Sequence, residues 1–242
     1  MKSQLSLTTS KTFKHNFKND LISSAKQVNE NGTRFYEADG AKYPSITTML
    51  GYFTSQSIQQ WRNRVGHEEA NKISSKAATR GTKFHKVCDT YLLNEQPVFK
   101  TPLEQQLFIN TREYIDLIDD IHLLEKSMFS HHLRLAGTVD CVARYNDRLS
   151  VIDFKTATRS KSKDHIDNYF MQASAYAIMF EEQTRIPVPQ IVIIIAVEGE
   201  PSQVFVERRD SYAKQLLECR DIYEEKNGWN KNSNRSGSLR SL

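Results

Sequence analysis

Two short runs rich in β-branched residues, each carrying an aspartate and separated by a polar turn, constrain this chain more than any other feature. Residues 137–140 read Gly-Thr-Val-Asp, and residues 152–156 read Ile-Asp-Phe-Lys-Thr. Such a pattern predicts a β-hairpin. With the turn centred near Asp147, Asp140 and Asp153 fall almost opposite each other on neighbouring antiparallel strands.

The second run also carries a lysine that shares a face with its aspartate. Asp153 and Lys155 are two residues apart, so both side chains leave the same side of the strand, while Phe154 points the other way into a core. A half-buried carboxylate must be paired or metal-bound. Two adjacent carboxylates suit a hard cation such as Mg²⁺, and a nearby lysine can orient the attacking water. The alternative is a surface ion pair, because Asp-x-Lys occurs about once by chance in a chain of this size.

Two further pairs of polar residues have helical spacing. His85 and Asp89 are four residues apart, as are Gln172 and Tyr176, so on helices each pair shares one face. Taken alone, either pair is typical of an ordinary helix surface or of a histidine satisfied in a core. Their order around the two aspartates is what makes them informative.

The ordered motifs His-x-x-x-acid, Gly-x-x-Asp, Asp-x-Lys-Thr and Gln-x-x-x-Tyr resemble the RecB-like branch of the PD-(D/E)XK nuclease superfamily. Within that branch, the segment from Tyr43 to about Tyr223 is most similar to the mitochondrial genome maintenance exonucleases and their tailed-phage relatives. One position departs from the family pattern. The family commonly has glutamate four residues after the helix histidine, whereas this chain has Asp89, one methylene shorter.

The resemblance implies an α/β fold: a PD-(D/E)XK core of order αβββαβ, a mixed sheet flanked by helices, with an N-terminal helical extension. It also implies an exonuclease that digests single-stranded DNA from a free end, with a 5′ bias, using one or two Mg²⁺ or Mn²⁺ ions. The implied metal ligands are Asp140, Asp153, the backbone carbonyl of Phe154, His85 and Asp89, the last directly or through water. Lys155 would position the attacking water, and Gln172, Tyr176 and Thr156 would hold the site or the DNA backbone.

Cations around these motifs are candidates for DNA contact. They are Arg80, Lys83, Lys86, Arg159, Lys161 and Lys163. Residues 156–163 mix hydroxyls with charges and can line a phosphate track, although an exposed solubilising loop has the same composition. The formal net charge of +4 comes from the two ends of the chain, because residues 1–19 carry four lysines and residues 227–242 three cations, both without acids. The body between them is acidic, unlike a protein that coats duplex DNA through bulk charge.

Three cysteines without a C-x-x-C spacing argue against zinc and against a disulfide framework, and they cannot supply a four-cysteine iron–sulfur cluster. The longest apolar run, residues 191–197, is too short to span a membrane and predicts a buried strand. We expect no membrane association and a cytoplasmic protein: host cytoplasm if phage-encoded, which we prefer, or the mitochondrial matrix if eukaryotic.

The remaining pattern predicts one nuclease domain, residues 33–226, between a basic, partly flexible segment, 1–32, and a flexible tail, 227–242. Predicted strands span 33–38, 41–45, 122–130, 135–145, 149–155, 191–197 and 202–208. Predicted helices begin at Ser45 or Thr47 and run towards Gly51, continue over 57–65 and 68–93, begin again at Pro102, and span 167–182 and 210–226.

Two other classes of function remain open at this point. The chain can be a structure-selective endonuclease, cutting flaps or junctions, on the same core, or a DNA-binding protein whose catalysis has decayed. A metal-dependent hydrolase of another ester is a more distant alternative. Expected partners are single-stranded DNA, DNA with single-stranded ends, and replication or recombination proteins.

Overall fold

The computed structural model describes residues 11–23 and 25–228 of the 242-residue chain. In that part, the strands are β1 (Lys26–Glu30), β2 (Thr33–Ala38), β3 (Ala41–Pro44), β4 (Ile118–Ser130), β5 (Leu135–Tyr145), β6 (Arg148–Ala157), β7 (Gln190–Val197) and β8 (Gln203–Arg208). The helices are α1 (Ile46–Val65), α2 (His67–Leu92), α3 (Pro102–Ile115), α4 (Asp167–Thr184) and α5 (Ala213–Asn227).

The main sheet has five strands in the order β4-β5-β6-β7-β8. Strands β4, β5 and β6 are antiparallel neighbours, β6 and β7 are parallel, and β7 and β8 are antiparallel. The parallel pair is joined through α4, since parallel strands require a long crossover. The predicted mixed sheet flanked by helices and its αβββαβ order are confirmed.

Each face of this sheet packs against its own set of helices. On one face, residues such as Val151 and Ile193 pack with the apolar sides of α1, α4 and α5. On the other, Phe154 and Ile194 pack with Phe84 of α2 and with α3. Every residue of β7 is buried, as the uninterrupted apolar run predicts for an interior strand.

Helices α1 and α2 form a long hairpin. Ser45 caps α1 by accepting a hydrogen bond from the Thr48 backbone N–H at 3.0 Å, in agreement with the first of the two predicted starts. The two helical stretches predicted here, towards Gly51 and over 57–65, belong to one helix, because α1 runs without interruption to Val65. The chain reverses at Gly66, whose φ of 87° favours glycine.

Most of this hairpin lies outside the two cores. All side chains of residues 51–60, and most of those from 66 to 79, are exposed. Among the described helices, none combines the length and the apolar character needed to cross a bilayer.

The segment before the main sheet contacts the rest of the molecule. Strands β1, β2 and β3 form a small antiparallel sheet, which confirms the predicted hairpin around residues 39 and 40. Phe13 is buried beside Tyr91, with their ring centroids 5.1 Å apart. The proposed domain limits stay a prediction. Residues 1–10, with Lys2, and residues 229–242, with the three cations of the C-terminal end, lie outside the described residues.

Candidate active site at the β5–β6 fork

The candidate site lies where β5 and β6 separate, a place we call the β5–β6 fork (Asp140, Asp153, Phe154 and Lys155). Ladder pairing of the two strands ends at Cys141 and Ile152. Two residues beyond Ile152, the Phe154 backbone N–H donates to Asp140 Oδ2 at 2.8 Å instead of to a strand carbonyl. The two aspartates therefore face each other across the fork, as the hairpin spacing predicted.

Asp153 and Lys155 form an ion pair on the α4 side of β6. Asp153 is 1% exposed, and its carboxylate oxygens accept no hydrogen bond from the described residues apart from this ion pair. Burial raises the pKa of Asp153 to about 6, against the opposing effect of Lys155. A buried carboxylate with so few donors has lone pairs left for a cation.

Lys155 is held from a second side by a residue that the sequence analysis missed. Its Nζ lies 5.2 Å from the ring centroid of Tyr169, in the first turn of α4. This cation–π contact and the Asp153 carboxylate together fix the ammonium group. Burial lowers the pKa of Lys155, but the nearby carboxylates outweigh it and raise that pKa above its ordinary value.

His85 reaches the fork from α2. Its Nδ1 lies 3.4 Å from Asp140 Oδ1 and 3.8 Å from Glu125 Oε1. Burial lowers the pKa of His85, but the hydrogen bonds to these two carboxylates raise it to about 10. For Asp140 the directions are reversed. Burial raises the pKa of this carboxyl, but His85 and Lys155 outweigh burial and hold the pKa below its usual range.

Glu125 is the acidic residue of this site that the sequence analysis did not identify. It lies on β4 between the paired residues Leu124–Cys141 and Lys126–Val139, which places it opposite Asp140. Ligand atoms of His85, Glu125 and Asp140 all lie within 4.8 Å of one another. The sequence does contain a signal for Glu125. The predicted strands 122–130 and 135–145 form a hairpin like that of β5 and β6, and counting outward from its turn places residues 125 and 140 opposite each other.

Asp89 lies beside this group of three without belonging to it. Its Oδ1 is buried and has no hydrogen-bond partner among the described residues. Burial, reinforced by the charges of Glu125 and Asp140, raises the pKa of Asp89 to about 7. A cavity of about 470 Å³ opens here, lined by Gly81, Thr82, His85, Lys86, Asp89 and Glu125.

Gln172 and Tyr176 lie behind the fork on α4. Gln172 Nε2 donates to the Tyr176 hydroxyl at 3.3 Å, and Tyr176 is 2% exposed. A Cβ atom on Gly137 would come within 2.7 Å of the Tyr176 ring. The glycine of Gly-x-x-Asp is therefore needed in this chain to admit the tyrosine.

The six predicted DNA-contacting cations divide into two groups. Arg80, Lys83 and Lys163 form ion pairs with Glu198, Glu104 and Glu207, respectively. Lys86, Arg159 and Lys161 are exposed and form no ion pair within the described part of the chain. Their contact with DNA stays a prediction.

The residues at the fork fit a hard divalent cation. Asp140, Asp153 and Glu125 supply carboxylate oxygens and His85 an imidazole nitrogen, and the buried oxygens of Asp153 lack donors. Oxygen-rich sets of this kind are typical of Mg²⁺ and Mn²⁺ sites.

Comparison with known proteins agrees with this geometry. The family model described as the PD-(D/E)XK nuclease superfamily matches residues 57–229. The chain belongs to this superfamily of nucleases, whose members use divalent metals.

The relatives are more specific. Mitochondrial genome maintenance exonuclease 1 of Homo sapiens is 28% identical over 130 residues, covering 49% of this chain and 38% of that protein. The Xenopus tropicalis protein of the same name is 26% identical over 180 residues, covering 66% of this chain and 50% of that protein. The chain thus spans half or less of the length of these relatives. A solved structure from Eubacterium rectale matches with a TM-score of 0.44 and 11% identity over 69% of this chain and 76% of that one.

Proposed function

We propose that this nuclease is a metal-dependent exonuclease that hydrolyses single-stranded DNA from a free end. One observation carries the proposal: Asp140, Asp153, Lys155 and His85, which come from three separate elements, converge at the β5–β6 fork. The exonuclease names of the homologous proteins point the same way.

The metal ligands would be Asp140 and Asp153, with His85, Glu125 and the Phe154 carbonyl completing the shell and Asp89 acting through water. A bound Mg²⁺ or Mn²⁺ supplies Lewis-acid stabilisation of the scissile phosphate and activation of a water molecule. A histidine in an oxygen-rich shell favours Mn²⁺ more than carboxylates alone would. Binding requires His85 to lose its proton, so the affinity for the cation rises with pH.

Lys155 would position the attacking water and offset the negative charge that builds up on the phosphate during cleavage. Its ammonium is held by Asp153 and by the Tyr169 ring, so it needs no reorganisation when charge develops. Tyr176 supports the fork from behind through its close approach to Gly137, and Gln172 holds the Tyr176 hydroxyl.

The preference for unpaired DNA draws support from the exposed helical hairpin. Tyr52 and Phe53 on α1 are 40% and 38% exposed, and aromatic rings of this kind can stack on unpaired bases. Trp61, on the same helix, is half-buried. The 5′ bias is part of the proposal on the strength of the resemblance alone. A role in replication, repair or recombination also draws on the words genome maintenance in the relatives' names.

The test compares wild type with Lys155→Ala on end-labelled linear and covalently circular single-stranded DNA, in Mg²⁺, Mn²⁺ or EDTA. We expect wild type to degrade only the linear strand and to require the metal. The Lys155→Ala variant should be inactive. The order in which 5′ and 3′ labels are released decides the polarity.

Two outcomes would replace the proposal. Equal cleavage of circles would identify a structure-selective endonuclease on the same core. DNA binding without any cleavage would identify a binding protein whose catalysis has decayed.

A further inference from the structure

Arg80 was predicted to contact DNA, yet its guanidinium is already engaged within the protein. Its Nε donates to Thr156 Oγ1 at 3.1 Å, and its Nη1 pairs with Glu198 Oε1 at 2.5 Å. The side chain is 11% exposed. A DNA phosphate would therefore have to displace a carboxylate that already neutralises this charge.

The three residues come from three parts of the chain, and two of these, α2 and β6, also deliver site residues. Arg80 lies one and a half turns before His85 on α2, and Thr156 directly follows Lys155 on β6. Glu198 follows β7, and its backbone N–H donates to the Ala157 carbonyl at 3.0 Å, which ties it to the end of β6. We call this set, Arg80, Thr156 and Glu198, the brace.

The brace lies where α2 first meets the body of the protein. Upstream, residues 71–79 of α2 are exposed; downstream, Phe84 is buried, with its ring centroid 6.4 Å from that of Phe154. At Gly81, a Cβ would come within 3.9 Å of Thr156 Oγ1, so helix and strand are in close contact at this level. The brace thus joins the helix to the strand just before His85 on α2 and directly after Lys155 on β6.

Such placement matters because the site is divided between the two elements. His85 comes from the helix, whereas Asp153 and Lys155 come from the strand. A displacement of about 1 Å between reacting groups can cost about 100-fold in rate. The planar guanidinium donates along two fixed directions at once, which a lysine ammonium does not reproduce.

We propose that Arg80 is a positioning residue that locks α2 onto the catalytic strand through Thr156 and Glu198, and that it is not a DNA contact. This inference rests on the proposed nuclease function of the same site. It assigns to Glu198, which no motif singled out, a share in holding the site together.

The experiment compares Arg80→Lys, Glu198→Gln, Thr156→Val and Thr156→Ser with wild type. It measures kcat on linear single-stranded DNA, DNA affinity in Ca²⁺, and Mn²⁺ affinity by calorimetry without DNA. Arg134→Lys is the matched control, because Arg134 forms an arginine–glutamate pair with Glu224 at the far end of β5. All rates are measured well below each variant's unfolding temperature.

A positioning role predicts that the first three variants lower kcat at least tenfold and weaken Mn²⁺ binding about tenfold, with DNA affinity within twofold of wild type. Thr156→Ser, which keeps the hydroxyl, should recover most of the rate that Thr156→Val loses. Arg134→Lys should lose stability while its kcat is unchanged.

If Arg80 contacts DNA, the DNA affinities of two of the variants should change in opposite directions. Arg80→Lys would then weaken DNA binding, while Glu198→Gln would strengthen it by releasing the guanidinium, and the inference would be overturned. Wild-type kcat in Glu198→Gln and Thr156→Val would overturn it as well, while leaving the proposed function intact. If wild type cleaves nothing, the proposed function fails, and unchanged Mn²⁺ affinity in the variants would separately reject the brace.

Discussion

Charged residues at the fork differ from those on its flanks in whether they have partners within the protein. By flanks we mean the six cations around the site motifs: Arg80, Lys83, Lys86, Arg159, Lys161 and Lys163. At the fork, Asp153 is almost fully buried with too few hydrogen-bond donors, and beside it Asp89 of α2 has a buried oxygen with no donor among the described residues. On the flanks, Lys83 and Lys163 are each matched with a glutamate. Burial of under-satisfied carboxylates costs stability, so a fold retains them where their chemistry is used.

The difference separates two kinds of evidence for function. An acid left without donors inside the protein points to a cation from outside, whereas a surface lysine held by its own glutamate gives no such indication. Counting cations near a motif therefore overstates the DNA-binding surface. The contrast between fork and flanks can be tested by removing one group from each kind of environment.

The largest effect is expected at the fork, from Lys155→Ala. We expect kcat to fall by about 10²–10³, because a preorganised charge at the scissile phosphate is lost, while DNA affinity in Ca²⁺ changes little. Single-turnover cleavage of linear DNA measures the loss. Lys214→Ala is the matched control, since that lysine is exposed on α5. An equal loss in the control would show that the effect comes from charge or folding in general.

Glu125→Gln tests whether the missed acid belongs to the fork. We expect Mn²⁺ affinity, measured by calorimetry on the DNA-free protein, to fall by about 10- to 100-fold, because one carboxylate of the cluster with His85 and Asp140 loses its charge. Glu95→Gln, at an exposed position, is the control and should bind Mn²⁺ like wild type. Unchanged affinity in Glu125→Gln would remove this residue from the metal site.

Sequence reasoning located the fork because it depends on regular strands. The spacing of Asp140 and Asp153 across a short turn fixes their register, and the alternation of strand side chains puts Lys155 beside Asp153. The same counting across the preceding hairpin, between β4 and β5, would have identified Glu125 as the residue opposite Asp140. Tyr169 could not be found in this way, since its contact with Lys155 depends on how α4 packs against the sheet.

The flanks were less predictable because ion-pair partners come from distant parts of the chain. Arg80 and Glu198 are 118 residues apart, and Lys163, which follows β6, pairs with Glu207 on β8. Local composition shows that a residue is cationic but not whether the folded chain has already neutralised it.

On the flanks, Lys83→Gln should reduce stability without affecting catalysis. Glu104 is 6% exposed, so removing its partner leaves a buried carboxylate poorly compensated. We expect a loss of about 1–2 kcal/mol, less than for a fully buried pair because Lys83 is 40% exposed. Urea denaturation measures this loss. Weaker DNA binding with unchanged stability would instead make Lys83 a substrate contact.

The same pair gives a pH dependence of defined sign. The hydrogen bond from Lys83 lowers the pKa of Glu104 from its ordinary value of 4.5. A lowered pKa in the folded state adds stability that is present above 4.5 and is lost as the pH falls through the lowered value. The difference between wild type and Lys83→Gln should therefore be full near pH 7 and shrink below about pH 4.5.

The smallest effect is expected from the exposed loop that follows β6. Arg159 and Lys161 are exposed there, and the backbone of Lys161 is held by two hydrogen bonds to the Gln203 side chain. Truncating both cations should leave the loop in place. We expect the double variant Arg159→Ala/Lys161→Ala to bind single-stranded DNA several-fold more weakly, with the slope of log affinity against log salt reduced by about 1.4, or about 0.7 for each lost phosphate contact.

Lys163→Ala is the matched control for that loop, because Lys163 is already paired with Glu207. Its salt slope should match that of wild type if intramolecular pairing removes a cation from the DNA-binding surface. A slope reduced by about 0.7 in Lys163→Ala would show that phosphate displaces Glu207. The contrast between fork and flanks would then hold for the buried carboxylates alone, and paired surface lysines would have to be counted again as part of the DNA track.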